Sequence, residues 1–262
     1  MLQRLQKVQQ IIRNKSLTNN KKINIFLEKN HKILFLWFFL YICKKKENMV
    51  DYNVWFTSDL HFCHRNILKY TDRVNRMGLD ADSPNLDQMN QWIIDKWNSR
   101  VQKNDIVYML GDFSFINTNI TRKFLEKLKG NKHLIWGNHD KSLKGLENYF
   151  ESCSDIKDVV FKQSSFPFLQ EDVTAVLCHY PILAWNRRNY GSLMIHGHSH
   201  GNLDDFNIQS KELRVDVGID SKLADYDMVS LEQIYEYMKK VSNGKPFNEY
   251  IKEHIETTGM KC

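Results

Sequence analysis

Five short stretches of this chain concentrate carboxylate, carboxamide and imidazole groups: Asp59-Leu60-His61, Gly111-Asp112, Gly137-Asn138-His139-Asp140, Cys178-His179 and Gly197-His198-Ser199-His200. In Asp59/His61 and in His198/His200 the two side chains lie two positions apart. On a strand running into a loop, residues i and i+2 point the same way, so each pair could grip one ion. A lone pair of this kind is common by chance; five such blocks in one chain are not. Gly111 and Gly137 stand directly before Asp112 and Asn138, where a residue without Cβ lets the chain turn sharply. The donors are nitrogen and oxygen with no paired thiolates. That set suits Mn, Fe, Zn or Ni better than a Cys-rich structural zinc site or an all-oxygen Ca or Mg cage.

Groups so far apart in sequence can meet only where a fold brings strand ends together, and each block does follow an apolar, β-prone run. Residues 54–58, 106–110 and 133–136 read as short buried strands. Between them, Met89, Trp92, Ile93 and Trp97 mark a helix over 85–101 that opens at Ser83-Pro84, and Phe124, Leu125 and Leu128 mark another over 119–129, stopped by Gly130. A helix-compatible stretch covers 64–70. Strand alternating with helix implies parallel strands joined by crossovers. Later, strands at 159–162, 174–178, 193–196 and 213–217 suggest a second sheet packed on the first, followed by helices over 230–241, with Ser230 as cap, and 247–257. The expected fold class is therefore α/β (layered α+β), with two mixed sheets packed as a sandwich and flanked by helices.

With the blocks in this order, residues 53–220 resemble the calcineurin-like metallophosphoesterase superfamily. The likeness rests on DLH at 59–61, GD at 111–112, GNHD at 137–140, the histidine of CHYP at 179 and GHSH at 197–200. The run DLHFCHRNI at 59–67 further resembles a small single-domain bacterial and phage branch. The resemblance implies two divalent cations, manganese foremost, with Fe, Zn, Ni or Co as alternatives. Asp59, His61 and His200 would hold one cation and Asn138, His179 and His198 the other, with Asp112 bridging both. His139 would serve the leaving group, and Asp140 would orient His139 or cap the turn after it. Two such ions sharing a water lower its pKa towards neutrality, so the implied activity is hydrolysis of phosphomonoester or phosphodiester bonds by the resulting hydroxide.

Other residues are candidates for substrate contact. His64 follows His61 by three positions and Asn66 follows it by five, a pattern recurring in the same branch; a phosphate contact by His64 is weighed against a structural role. Asn138 could touch substrate as well as metal. Arg187 and Arg188, between two ligand blocks, could clamp a phosphate bidentately. Asp204, Asp205, Asp216 and Asp220 read as turn and loop residues.

The expected substrate is a small phosphorylated molecule. A nuclease acting on DNA or RNA is the alternative, and a non-catalytic scaffold on the same fold is a remoter one. Residues 1–49 carry 11 Lys/Arg and 2 Asp/Glu, and residues 50–262 carry the other 26 and 29, so the enzyme-like part is mildly acidic and lacks a general basic footprint for nucleic acid. The continuation Gly111-Asp112-Phe113-Ser114-Phe115-Ile116-Asn117 lacks the arginine of the GDxxDRG pattern of phosphoprotein phosphatases. An intact His139 argues against both the scaffold and the lipid-A precursor hydrolases, which usually have arginine there.

The five cysteines, Cys43, Cys63, Cys153, Cys178 and Cys262, form no CxxC pair and no even framework, which favours a reducing compartment and a cytoplasmic location. The apolar block at 33–43, eleven residues at about 1.5 Å each, is too short for the roughly 30 Å of a bilayer core. Residues 1–49 are expected to be an extension from an upstream start codon, outside a metallophosphoesterase domain at 50–262. Intact mass of the natively expressed protein checks this. The sequence gives no sign of oligomeric state.

Overall fold

Alternation along the apolar strands sets the layering. Strand β1 (Val54–Thr57) sends Val54 and Phe56 into one buried cluster and Trp55 against another. Strand β2 (Ile106–Met109) and strand β3 (Asn131–Ile135) divide in the same way: Tyr108 and Ile135 go to the first cluster, and Val107, Met109 and Leu134 to the second. Successive side chains on a strand face opposite ways, so a parallel sheet covered on both faces reads as a continuous apolar run.

The computed structural model describes residues 51–259. The first sheet has the order β4-β3-β2-β1-β9, with β4 at Ser152–Ser154 and β9 at Val229–Ser230. Its neighbours are parallel except for β9, which runs antiparallel to β1. The second sheet has the order β5-β6-β7-β8, formed by Ile156–Phe161, Val173–Cys178, Leu193–His196 and Arg214–Asp216. Its first pair is antiparallel and the other two are parallel. Ala175, Leu177, Leu193 and Ile195 meet Phe56, Tyr108 and Ile135 between the sheets. Each Leu, Ile or Phe side chain among them contributes about 1.5–3 kcal/mol on burial. The two mixed sheets packed together are the architecture expected from the sequence.

Seven helices accompany the sheets among the described residues: α1 (Ile67–Tyr70), α2 (Arg73–Arg76), α3 (Leu86–Arg100), α4 (Thr118–Leu125), α5 (Asp204–Ser210), α6 (Leu231–Val241) and α7 (Phe247–Thr258). Met89, Ile93 and Trp97 of α3 cover the outer face of the first sheet. The start of α3 is set by Asn85, whose side chain accepts from the backbone of Asp87 and Gln88, rather than by Ser83-Pro84. Ser230 caps α6 as expected, in a capping box completed by Gln233. Strands β4 and β9 and helices α2 and α5 are too short to leave a periodic pattern and were not anticipated. No described helix is long and apolar enough to cross a membrane. The extension expected at 1–49 and the residues Cys43 and Cys262 lie outside the described residues.

Candidate metal centre

The strand ends converge. Asp59 follows β1, Asp112 follows β2 and Asn138 follows β3; His179 follows β6, and His198 and His200 follow β7. All six positions lie beyond the carboxyl ends of their strands, the usual location of sites in such sheets. The loops are laced together: Asp59 N donates to Gly111 O at 3.0 Å, His61 N to Asp112 O at 3.0 Å, and Gly197 N to His179 O at 3.0 Å.

Two groups of candidate ligands result. Asp59, His61 and His200 each bring one possible donor atom within 4.8 Å of the others, and Asp112, His179 and His198 do the same. In the first group His61 Nε2 and His200 Nε2 are 3.2 Å apart, with Asp59 Oδ1 at 3.9 and 3.8 Å from them. In the second, His179 Nε2 lies 3.2 Å from His198 Nδ1 and 3.0 Å from Asn138 Oδ1. Asp112 Oδ2 stands between the groups, 3.8 Å from His61 Nε2 and 3.6 Å from His179 Nε2.

The chemistry of these atoms fits a cation in each group. His179 Nδ1 lies 2.7 Å from Leu110 O, a carbonyl that can only accept, so the proton sits on Nδ1 and the Nε2 lone pair faces the amide oxygen of Asn138. His200 Nδ1 lies 2.7 Å from Asp220 Oδ2, which likewise frees its Nε2. Asp59 Oδ1 is buried with no hydrogen-bond partner. Converging lone pairs and a stranded carboxylate oxygen repel one another unless a positive charge lies among them. The spacing also agrees: nitrogens about 2.1 Å from one ion stand roughly 3.0–3.4 Å apart at ordinary coordination angles. Burial pushes the Asp59 carboxyl up to about 7 when only protein groups surround it. Burial, then the charge of Arg73, drives His61 well below the usual imidazole range, and burial lowers His198. Burial alone would lower His200, but its bond to Asp220 and the charge of Asp59 outweigh it and raise the imidazole.

The local backbone departs from the expected mechanism. Asp59 and His61 pair not on an extended strand but because both are left-handed, at φ 59° and 53°, as are Asp112 at 55°, His198 at 67° and His200 at 48°. Gly111, at φ +87°, makes the expected sharp turn. Gly137 serves close approach instead: a Cβ there would lie 2.4 Å from Asp112 Oδ1 and 2.6 Å from Asp112 N.

The remaining candidates are placed as follows. His139 is exposed; its backbone N donates to Asp112 Oδ1 at 2.9 Å and its ring sits 4.5 Å from that of Phe115. Asp140 does not reach the His139 ring. It is buried, and its carboxylate accepts from Gly137 N, Phe113 N and Asp112 N at 2.7, 2.8 and 3.1 Å. His64 stacks on Phe115 at 3.8 Å, with its ring 5.3 Å from that of His61. Arg187 is exposed at a left-handed turn. Arg188 departs from the expected phosphate clamp: it is buried, lies 5.7 Å over Trp185, and gives Nε and Nη2 to Glu212.

Three residues essential to this geometry escaped the sequence reading. Asp216 and Asp220 are not solvated turn residues. Asp216 accepts from Ser199 Oγ, Gly201 N and Gly218 N at 2.6, 3.0 and 2.7 Å. Asp220 pairs with His200 and with Arg73, whose side chain is fully buried. The only signal was two acids four apart beyond the GHSH block; Arg73 left none.

A two-sheet sandwich with groups of possible metal ligands at its strand ends agrees with the metallophosphoesterase fold. The family model for calcineurin-like phosphoesterases matches residues 52–202, and the chain belongs to that family, whose members are metal-dependent hydrolases of phosphoester bonds. An uncharacterized protein of the archaeon Methanocaldococcus jannaschii is 30% identical over 190 residues, covering 71% of this chain and 92% of the relative. The Gene 66 protein of a Mycobacterium phage is 27% identical over 214 residues, covering 73% of this chain and 98% of the relative. In fold, the chain is similar to the crystal structure of a protein of unknown function from Aquifex aeolicus, with a TM-score of 0.51 and 24% identity, over 71% of this chain and all 100% of that one.

Proposed function

We propose that the protein is a two-metal phosphoesterase hydrolysing phosphomonoester or phosphodiester bonds of small molecules. One observation carries this reading: the ligand groups of Asp59, His61 and His200 and of Asp112, His179 and His198 adjoin, with Asp112 Oδ2 within 3.8 Å of a histidine from each. When bound, a pair of divalent ions, manganese foremost, acidifies an attacking water and offsets charge on the phosphoryl oxygens.

The chain's own residues supply the rest. Asp112 Oδ1, held by His139 N, fixes the carboxylate shared between the groups. Asn138 directs its amide oxygen at the second group from an exposed position, where it can also meet a phosphoryl oxygen. His139, exposed beside the centre, protonates or stabilises the departing oxygen. His64 lies one ring away from His61, placed to meet an outer phosphate oxygen. Exposed His198 and His139 leave this face of the centre accessible to solvent, consistent with a small and loosely selected substrate.

The test is manganese-dependent cleavage of a chromogenic phosphodiester and monoester, beside digestion of single-stranded and duplex DNA. Cleavage of the small esters is expected. Activity on DNA alone favours the nuclease, and no activity with Mn, Ni, Co, Fe or Zn refutes the assignment. His139→Ala should keep its metals and lose about 10²–10⁴-fold in rate, as for a general acid. Loss of the metals in that variant would remove His139 from this role.

A further inference from the structure

We propose that Arg73 and Asp220 are positioning residues that make the Asp59–His61–His200 group the tighter of the two cation sites, the one filled first. The inference rests on the two-metal reading above and concerns how its halves differ.

Arg73 comes from α2, a four-residue helix remote from every ligand block, yet its guanidinium reaches the centre. Nη2 donates to Asp59 O at 2.7 Å and to Asp220 Oδ2 at 2.6 Å, Nη1 to Leu60 O at 2.8 Å, and Nε to Asp220 Oδ1 at 2.9 Å. One planar fork thus fixes the backbone of the left-handed turn presenting Asp59 and orients the Asp220 carboxylate. Asp220 in turn accepts from His200 Nδ1 at 2.7 Å, which locks the ring and increases the electron density at Nε2. The Asp220 carboxylate offsets part of the guanidinium charge, although that charge is still felt at His61.

In the second group neither imidazole turns its Nδ1 to a carboxylate. His179 gives Nδ1 to a neutral carbonyl, Leu110 O. His198 turns Nδ1 inward towards His179 from an exposed position. The two groups share Asp112, but the first adds the carboxylate of Asp59 where the second adds only the neutral amide of Asn138. Asp59 Oδ1 is also buried and accepts no hydrogen bond, so no protein donor competes with an ion for it. Charge, enclosure and ring orientation all favour the same half. Removing a partner of this kind lowers metal affinity by about 10–100-fold.

The test is titration of the chelator-stripped full chain with Mn2+, following free Mn2+ by electron paramagnetic resonance. Two classes of site differing by at least about tenfold are expected. Asp220→Asn should weaken the tighter class 10- to 100-fold and spare the weaker one. His198→Ala should remove the weaker class and keep the tighter. Arg73→Lys, which keeps the charge but not the fork, should repeat the Asp220→Asn result and serves if that variant does not fold. Thermal melts of the metal-free proteins check folding. Equal affinity of both wild-type sites, or equal weakening of both classes by Asp220→Asn, overturns the inference and leaves the two-metal reading standing. A folded wild type that binds no Mn2+ overturns both.

Discussion

Gly137→Ala tests whether the centre depends on backbone closeness that only glycine permits. The added Cβ would stand 2.4 Å from Asp112 Oδ1 and 2.6 Å from Asp112 N. Ordinary contact needs more than about 3.2 Å, so one side must move by roughly 0.6–0.8 Å. Neither side is free to do so. Asp112 N is bonded to Asp140, and Asp112 Oδ1 is bonded to His139 N. Over-packing of this kind costs about 1–3 kcal/mol, and a domain of this size loses roughly 2–4 °C of Tm per kcal/mol. A melt of the metal-free protein should therefore fall by about 2–12 °C. Activity should fall further, because the displaced group is the carboxylate shared by both ligand sets: a shift approaching 1 Å in a reacting constellation costs about 100-fold in kcat/KM. Gly145→Ala is the control. Gly145, unlike Gly137, is left-handed, at φ +84°, but a Cβ there meets nothing within 4 Å, so the variant should lose about 1–2 kcal/mol of stability and no activity. Wild-type kcat/KM and Mn2+ affinity in Gly137→Ala would refute the idea that close packing of the strand ends sets the metal geometry.

Two further outcomes follow from buried charge. Burial raises the Asp59 carboxyl to about 7, so the folded metal-free state holds a proton there that the unfolded chain has released; this group's contribution to stability is full near pH 4 and declines as pH rises to about 7. Asp59→Asn should therefore match the metal-free wild type near pH 4 and exceed it at pH 8 by up to roughly 4 kcal/mol, whereas saturating Mn2+ should reverse the order; paired thermal melts check this, and a difference independent of pH speaks against it. Arg188→Ala leaves Glu212 buried without its main partner and should lose about 3–5 kcal/mol in denaturant unfolding, while the KM for a phosphoester in the folded protein stays unchanged. A raised KM with intact stability restores the phosphate-clamp role.

The candidate ligands could be picked out because metal chemistry restricts residue type: few side chains can replace a carboxylate or imidazole at Asp59, Asp112, His179 or His200. The sandwich was legible because its central strands are covered on both faces and so read as apolar runs ended by glycine or by a ligand. What stayed hidden was what holds the ligands. A carboxylate that accepts from a distant turn, as Asp216 does from Gly201 N, or from distant side chains, as Asp220 does from Arg73 and His200, needs no sequence spacing, so both looked like ordinary loop acids. Arg73 belongs to a helix of one turn, too short for any periodicity. Arg188 misled for the converse reason: a loop arginine between ligand blocks looks solvent-facing until Glu212, 24 positions on, is folded against it.

Arg73, Asp140 and Asp216 share one task. Left-handed backbone at a residue with a side chain costs about 1–2 kcal/mol, and five of the proposed ligands adopt it. Such turns persist only when their surroundings over-determine them. Arg73 binds the carbonyls of Asp59 and Leu60 in the turn after β1. Asp140 gathers the N–H groups of Asp112, Phe113 and Gly137, joining the turns after β2 and β3. Asp216 ties Ser199 and Gly201, after β7, to Gly218, after β8. In each place one buried charged side chain satisfies polar groups that a strained turn would otherwise leave without partners. The proposed ligand cage is thereby held by charges outside it, so a cation would not first have to reorganise the backbone. Changes at these three supports should therefore alter metal affinity and ligand geometry without removing any ligand.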